Sequence, residues 1–167
     1  MTQLLYLHDG YLREFDATVT AADGQRVALD RTAFYAGGGG QPADTGVLRW
    51  GSDAARVVEL RKEDAAVWHT VEGAVPPPGA AVQGVLDWER RFGLMRHHTA
   101  AHVIAAILHH EFKAKFTGGQ LYPDRARIDV HFDAWDPALP KRIEERANAE
   151  IAKGYDVKHY EMSREEF

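Results

Sequence analysis

The alternation of apolar and polar residues divides the chain into a strand-rich first part and a mixed second part. Up to about residue 90, apolar positions recur every second residue or run together over short stretches, which is typical of β-strands. Turn sequences such as Ala22-Asp23-Gly24 and the proline run 76–78 separate several of these stretches. The pattern predicts strands at residues 4–8, 14–20, 26–30, 46–50, 55–60, 66–71 and 81–88. Short strands at this spacing favour a small barrel or a curled sheet.

The second part changes to a helical period. Apolar positions predict a helix at 92–112, followed by a strand at 113–117 and a turn at Gly118-Gly119. A strand at 127–132 and a second helix at 137–153 follow, with Asp136 as the N-cap and Gly154 as the stop. A last strand is predicted at 155–160. The sequence therefore predicts an α+β protein: a small β-barrel domain at 1–90, then a domain at 91–167 with helices packed on an antiparallel sheet, expected to be incomplete at its C-terminal end.

Composition narrows the class of protein. The chain has 167 residues, 45% of them hydrophobic and 27% charged, and it contains no cysteine. Disulfides and thiolate ligands from these residues are thereby excluded. No apolar run reaches the roughly 18 residues of a membrane-spanning helix, and the N-terminus lacks a basic leader, so we expect a cytoplasmic protein without membrane partners.

The net charge of −5 argues against a protein that is basic throughout, but not against a local basic face. The stretch from residue 88 to 127 is rich in cations. Its members are Arg90, Arg91, Arg96, Lys113, Lys115, Arg125 and Arg127, against three acidic residues, Glu89, Glu111 and Asp124. This face is either a solvated helix flank or a surface that contacts phosphates.

His98 and His102 are the first candidate for chemistry. Residues four apart lie on one face of a helix, so both imidazoles can reach one metal ion, most commonly zinc. The motif of zinc proteases has a glutamate after the first histidine, whereas here that position is Thr99. The alternative is that both histidines are polar positions on a partly exposed helix.

Two glycine-containing segments are further candidates. Four consecutive glycines at 37–40 precede Gln41, and they let a backbone approach a ligand and present its amides. They match neither a P-loop nor a Rossmann spacing, and the alternative is a flexible hairpin loop. Thr117 and Gln120 flank the glycines at 118–119 and can hydrogen-bond a polar substrate group, or simply border a turn.

Five segments, in the same order, resemble a known family. They are FYAGGGGQPADTG at 34–46, DWERR at 87–91, MRHHTAAH at 95–102, RID at 127–129 and MSREE at 162–166. This order is similar to that of the editing domain of alanyl-tRNA synthetase, and it resembles even more the free-standing AlaX trans-editing proteins of medium length. The resemblance spans nearly the whole chain.

The resemblance implies hydrolysis of the ester that joins serine, or sometimes glycine, to the 3′ end of alanine tRNA, with no role for DNA. It implies Zn²⁺ bound by His98 and His102 and by a later Cys-x3-His pair, which we expect in a longer form of the chain. Zinc would either lower the pKa of a water molecule or hold the amino group of the substrate.

The remaining site residues follow from the same comparison and from the chemistry of an ester substrate. Gln41, Thr117 and Gln120 are expected to assist the reaction or the choice of serine. Gly39, Gly40, Arg91, Arg96 and Arg127 are expected to contact the substrate or the tRNA.

Three alternatives stay open from the sequence. The first is a non-catalytic module that binds the acceptor end of tRNA with an incomplete metal site. The second is editing of serine on threonine tRNA, although the segment Gly-Gly-Gly-Gly-Gln favours alanine tRNA. An unrelated metal hydrolase is disfavoured by the five ordered matches. The oligomeric state is not predicted.

Overall fold

The computed structural model of the chain describes residues 1–132, 135–158 and 162–165. Within these residues, ten strands and two helices follow one another, with a short 3-10 helix at Leu5–Leu7. The first eight strands are β1 (Gln3–Leu4), β2 (Glu14–Asp23), β3 (Arg26–Leu29), β4 (Arg31–Thr32), β5 (Gly46–Trp50), β6 (Asp53–Glu63), β7 (Ala66–Gly73) and β8 (Ala81–Leu86). They are followed by α1 (Trp88–Phe112), β9 (Lys115–Leu121), β10 (Ala126–His131) and α2 (Leu139–Ile151). The expected α+β class is confirmed.

The chain forms two compact units. Unit 1 comprises Met1–His98 and Gly119–Arg127, and unit 2 comprises Thr99–Gly118 and Ile128–Phe167. The expected domain boundary at residue 90 stays a prediction.

Unit 1 contains a closed β-barrel. Six strands follow the order β2-β3-β7-β6-β5-β8, and β8 pairs back to β2, so no strand of the barrel has an open edge. Every neighbouring pair is antiparallel. In β2, Phe15, Ala17 and Val19 point into the barrel while the residues between them are exposed. The two-residue period in the sequence thus produces the barrel core.

The N-terminal residues 4–8 do not form the expected strand. β1 ends at Leu4, where it pairs in parallel with β4 over two residues, and Leu5–Leu7 turn as a 3-10 helix. The amides of His8 and Asp9 both donate to the carbonyl of Leu5, which closes this turn. The short apolar run Leu4-Leu5-Tyr6-Leu7 is compatible with either structure, so the local hydrogen bonds decide.

α1 begins four residues earlier than its apolar pattern predicts. The carboxylate of Asp87 accepts a hydrogen bond from the backbone amide of Arg90 at 3.2 Å, and the carbonyl of Asp87 accepts from the amide of Arg91 at 3.0 Å. Asp87 is therefore the N-cap, which satisfies amides that a helix start leaves without partners. The capping residue, not the first apolar residue, marks the start.

The expected turn at Gly118-Gly119 is wrong. β9 continues through both glycines to Leu121, and the chain reverses where the amide of Tyr122 donates to the carbonyl of Arg125 at 2.8 Å. The sequence Pro123-Asp124 inside that reversal is a good turn sequence. β9 and β10 form a two-stranded sheet on either side of it.

α2 also differs at both ends from its expected bounds of 137–153. Its N-cap is Ala138, and Asp136 instead accepts a hydrogen bond from the Ala138 amide ahead of the helix at 2.9 Å. The helix ends at Ile151, and Gly154 follows with a positive φ of 66°. Residues 155–158 have no regular structure, and the rest of the strand expected at 155–160 lies outside the described residues.

Unit 2 has a shallow apolar groove of about 480 Å³. Residues of α1, β10 and α2 line it, including Ile104, Val130 and Ile143. Among the described residues, no helix is long and apolar enough to cross a membrane.

Candidate functional site

The glycine segment forms a closed loop in unit 1 rather than a flexible linker. Its stem is fixed twice, because the Tyr35 amide donates to the Asp44 carboxylate at 2.7 Å and the Asp44 amide donates to the Tyr35 carbonyl at 2.9 Å. We call residues 35–44 the glycine loop. The Tyr35 hydroxyl donates to the Gly38 carbonyl at 3.0 Å, and burial raises the pKa of this phenol, which keeps its proton in place.

The tip of the glycine loop is a tight turn. The amide of Gly38 donates to the carbonyl of Gln41 at 3.0 Å, and the reciprocal bond is 2.9 Å. The two residues between them, Gly39 and Gly40, have φ values of 58° and 79°. This left-handed region is one that glycine adopts without steric cost. The run of glycines therefore makes a defined turn that ends with Gln41.

Gln41 holds His98. The amide oxygen Oε1 of Gln41 lies 2.8 Å from Nδ1 of His98, and the Gln41 side chain is only 9% exposed. Because an amide oxygen accepts and cannot donate, Nδ1 carries the proton. The lone pair of the imidazole is then on Nε2. This is the tautomer and the type of oxygen partner that metal-binding histidines commonly have.

The loop is also attached to the end of β9. The carbonyl oxygen of Gly40 accepts two hydrogen bonds, one from the amide of Leu121 at 3.0 Å and one from Nε2 of Gln120 at 3.1 Å. A Cβ atom on Gly40 would lie 3.2 Å from the carbonyl oxygen of Gly119, so the two backbones approach closely. Gln120 thus anchors the loop, in addition to the chemical role expected for it.

Arg91 is buried, which the sequence did not indicate. Its guanidinium is 4% exposed and forms an ion pair with Asp44, whose carboxylate is 1% exposed. Nη2 also donates to the carbonyl of Ala33 at 2.6 Å, and Nη1 donates to that of Gly10 at 3.2 Å. A group enclosed in this way does not present itself to a phosphate, so we leave Arg91 out of the RNA-contact residues.

The other expected site residues are distributed between the units. Gly39, Gly40, Gln41, His98 and Gln120 come together in unit 1, and the exposed residues Arg96 and Arg127 belong to the same unit. His102 on α1 and Thr117 on β9 belong to unit 2, and both are exposed.

The residues that fit a metal are the histidines of α1. His98 has the oxygen partner described above, and His102 follows one helical turn later. Over residues 1–132, 135–158 and 162–165, no group of three or more His, Asp or Glu side chains gathers as a metal site. The two histidines therefore fit half of a tetrahedral zinc set.

Sequence reasoning missed Asp44 as a partner of the helix. It lies 47 residues before Arg91, and no local pattern links the two. Its neighbours, Pro42-Ala43 and Thr45-Gly46, give no apolar pattern that would have marked the carboxylate as buried and in need of a cationic partner.

Comparison with known proteins first gives the class. Residues 3–90, which hold the barrel and the glycine loop, match the family model described as tRNA synthetases class II (A). The alanine–tRNA ligase of Thermofilum pendens is 44% identical over 172 aligned positions, covering 99% of this chain and 19% of the ligase. The barrel and its loop are therefore of a kind found in tRNA synthetases.

Free-standing relatives match over a larger share of their own length. The alanyl-tRNA editing protein AlaX-M of Methanosarcina mazei is 42% identical over 175 aligned positions, covering 99% of this chain and 70% of that protein. AlaX-M of Saccharolobus solfataricus is 37% identical, covering 99% of this chain and 71% of that protein. The chain belongs to the family of AlaX-M alanyl-tRNA editing proteins. The resemblance seen in the five sequence segments is thereby confirmed.

Proposed function

We propose that this protein is a trans-editing hydrolase that removes serine or glycine from mischarged alanine tRNA. The observation that carries the proposal is the contact between Gln41 of the glycine loop and His98 of α1. A flexible glycine linker would not hold a side chain against His98, so the contact indicates that the loop belongs to the site. The names of the relatives, which are alanyl-tRNA editing proteins, support the same substrate class.

The reaction is hydrolysis of an aminoacyl ester. Water adds to the carbonyl carbon, the bond to the ribose oxygen of the terminal nucleotide breaks, and that oxygen takes a proton, which releases the amino acid and an uncharged tRNA. The ester is already activated, so catalysis depends mainly on positioning. Gln41 contributes by fixing the tautomer and ring orientation of His98.

We propose Zn²⁺ as the cofactor, held by His98 through Nε2 and by His102. The bond from Nδ1 of His98 to Gln41 supports this assignment, because metal-binding histidines use their second nitrogen in this way. When bound, zinc supplies Lewis-acid polarisation of an oxygen and a lowered pKa for water. This pair would supply two of the four ligands that Zn²⁺ usually takes.

Selection against alanine requires a polar partner for one hydroxyl group. A site built to hydrogen-bond that hydroxyl rejects a substrate without it, because the polar partner is then left unpaired. We assign this role to Thr117 and Gln120, whose side chains offer hydroxyl and amide groups. Gln120 already donates to the loop through Nε2, which leaves its Oε1 as the acceptor for a substrate hydroxyl.

Arg96 and Arg127 are proposed to contact the phosphates of the acceptor end, and the exposed backbone of Gly39 and Gly40 to face the substrate. Phosphate contacts make binding depend on salt. Replacing either arginine by alanine is expected to lower affinity for the tRNA without changing which amino acid is removed.

The direct test is release of labelled amino acid from seryl-, glycyl- and alanyl-tRNA(Ala). We expect serine or glycine to be released and alanine to remain. A protein that binds the acceptor end but releases neither serine nor glycine is instead a non-catalytic binding module. Release of serine from threonine tRNA in preference to alanine tRNA would contradict the substrate assignment.

The role of Gln41 is tested by Gln41→Leu. Loss of the partner that orients a metal-binding histidine typically costs about 10- to 100-fold in activity or metal affinity, and we expect a loss in this range for seryl-tRNA(Ala). Gln83→Leu on β8 is the matched control, since the side chain of Gln83 bonds Glu14 on the barrel surface. Unchanged deacylation by Gln41→Leu would remove Gln41 from the mechanism.

The metal assignment is tested by zinc titration with His98→Asn and His102→Asn. We expect both substitutions to weaken zinc binding, while Asn in place of exposed His109 leaves it unchanged. Zinc binding that survives both substitutions in the helix would overturn the assignment of the pair.

A further inference from the structure

The glycine loop contacts α1 at two places in unit 1. Near its tip, Gln41 bonds His98, and at its stem, Asp44 pairs with Arg91. His98 and Arg91 are seven residues apart on the helix, which is nearly two full turns, so they lie on the same face about 10 Å apart. The loop therefore lies along one face of α1 with an attachment at each end.

The attachment at the stem is the more enclosed of the two. Nε of Arg91 lies 3.0 and 2.8 Å from the two carboxylate oxygens of Asp44, and Nη2 also bonds the carboxylate. The remaining guanidinium bonds go to backbone carbonyls before the loop, at Gly10 and Ala33. A bidentate pair of this kind fixes angle as well as distance.

The same carboxylate also fixes the start of the loop. Asp44 accepts from the Tyr35 amide at 2.7 Å, so one side chain joins the first residue of the loop, the last residue of the loop and the helix. Only two residues separate Asp44 from Gln41, and the tip between Gly38 and Gln41 is closed by reciprocal backbone bonds. Little conformational freedom is left between the ion pair and the amide of Gln41.

We propose that Asp44 and Arg91 are positioning residues of the editing site: their buried ion pair sets the place of the glycine loop on α1 and thereby holds Gln41 against Nδ1 of His98. Neither residue touches substrate. The inference rests on the proposed function only in naming the site, because the contact it explains is present in the protein without substrate.

The charges of Asp44 and Arg91 favour a positioning role over a role that only stabilises the fold. A buried ion pair is weak support for stability, since the desolvation of both charges offsets their attraction. What such a pair provides is a fixed geometry. A hydrophobic pair at these positions would fill the space but would not define the angle between the loop and the helix.

The test is the tautomer of His98 in metal-free protein labelled with ¹⁵N-histidine. The signal of His98 among the nine histidines is assigned with His98→Asn, and its bond to Gln41 is verified with Gln41→Leu. The wild-type protein is expected to show His98 protonated at Nδ1. In Asp44→Asn and in Arg91→Lys, we expect this preference to disappear and the kcat for seryl-tRNA(Ala) to fall about 100-fold, as a displacement of about 1 Å can produce, with KM changed less.

Val57→Ala is the matched control for a general loss of stability. Val57 is 1% exposed in the barrel core and pairs with Gly46, two residues after Asp44, so its truncation weakens the fold beside the loop while both charges of the ion pair stay in place. All spectra are recorded under conditions in which circular dichroism shows that the variant is folded. If Asp44→Asn does not fold, the double variant Asp44→Asn with Arg91→Gln removes both charges together and replaces it.

The outcomes separate the two proposals. Loss of the Nδ1 proton in the ion-pair variants, with retention in Val57→Ala, supports the positioning role. Retention of that proton in the ion-pair variants, or its loss in Val57→Ala as well, overturns it. A wild-type protein that hydrolyses no aminoacyl-tRNA overturns the proposed function, while the tautomer still decides the role of Asp44 and Arg91.

Discussion

The two units differ in how completely each buries its apolar residues. In unit 1 the barrel core is closed, with Val27, Phe34 and Leu48 at 0% exposure. In unit 2, Ile107, Leu108, Ala114, Leu139 and Ala147 are buried among the described residues, while Trp135 is 65% exposed and Ile151 54% exposed. A barrel has no strand edges and encloses its own core, whereas two helices and a short hairpin leave an apolar groove. The glycine loop thus belongs to the unit whose apolar core is the more completely enclosed.

Two glycines show how tightly the barrel of unit 1 is packed. A Cβ atom on Gly46 would lie 2.2 Å from the carbonyl oxygen of Val85 and 2.7 Å from the ring of Phe34. On Gly84 it would lie 2.3 Å from the ring of Phe15. The glycines of surface turns, such as Gly24, would meet nothing within 4 Å. The barrel wall therefore has no room for a methyl group at Gly46 and Gly84.

Among the substitutions that test how tightly the barrel is packed, Gly46→Ala is expected to cause the largest loss of stability. The obstructing atom at Gly46 is a backbone oxygen of the paired strand, so the barrel must open to admit the methyl group, and we expect a loss of about 4 kcal/mol in the free energy of unfolding. Urea denaturation measures it. Gly10→Ala is the control, because its Cβ would meet only the flexible end of Met95 at 3.7 Å. Equal midpoints for the two variants would show that the barrel is less tightly packed than described.

A loss of stability nearly as large is expected when the pH falls, because His69 is buried in its uncharged form. This imidazole is 0% exposed in the barrel; Nε2 bonds the Thr32 hydroxyl at 2.9 Å and Nδ1 bonds the Val27 carbonyl at 3.2 Å. Burial lowers the pKa of His69 from its ordinary 6.5 to about 4. Between these values the unfolded chain takes up a proton that the folded chain does not. The stability is therefore full above pH 6.5 and falls as the pH drops towards 4, by about 3 kcal/mol.

The measurement is the free energy of unfolding from pH 7.5 to 4 for the wild type and for His69→Gln. Carboxylates titrate in both proteins, so the difference between the two curves isolates His69. In unit 2, the ion pair between Glu111 and Arg146 lowers the pKa of Glu111, but both side chains are well exposed, and solvent screens the pair. Parallel curves for wild type and His69→Gln would contradict the buried, uncharged state of His69.

The smallest effect is expected in the groove of unit 2. Ile151→Ala removes apolar surface that is already half exposed and places a better helix former in the last turn of α2, so we expect a change within about 0.5 kcal/mol. Leu48→Ala in the barrel is the matched truncation, for which we expect a loss of about 3 kcal/mol. A large loss from Ile151→Ala would mean that the groove contributes to folding as the barrel core does.

The strands of the barrel were predictable because their information is local. β2, β7 and β8 alternate buried residues with more exposed ones, and β5 begins and ends at the expected residues. The order of the strands was not predictable, since β3 pairs with β7 and β5 with β8 across long intervals of sequence. The predicted start of α1 was wrong because a polar capping residue, Asp87, and not the first apolar residue marks where the helix begins.

The candidate site divides in the same way. The spacing of His98 and His102 and the glycine run are local patterns that can be read from the sequence, and their role in a site stays a prediction. The contact of Gln41 with His98 spans 57 residues, and that of Asp44 with Arg91 spans 47, so neither follows from a pattern. Arg91 was misjudged for the same reason: an arginine in a basic stretch is usually at the surface, and only its distant partner reveals that this one is buried.

The reciprocal backbone bonds at the tip of the glycine loop have a consequence for its length. Gly38 and Gln41 bond each other, and the carbonyl of Gly40 accepts from Leu121 and Gln120. One residue inserted between Gly38 and Gln41 would break this pattern and move Gln41 away from His98. Natural variants of this protein should therefore keep the number of residues in this turn unchanged.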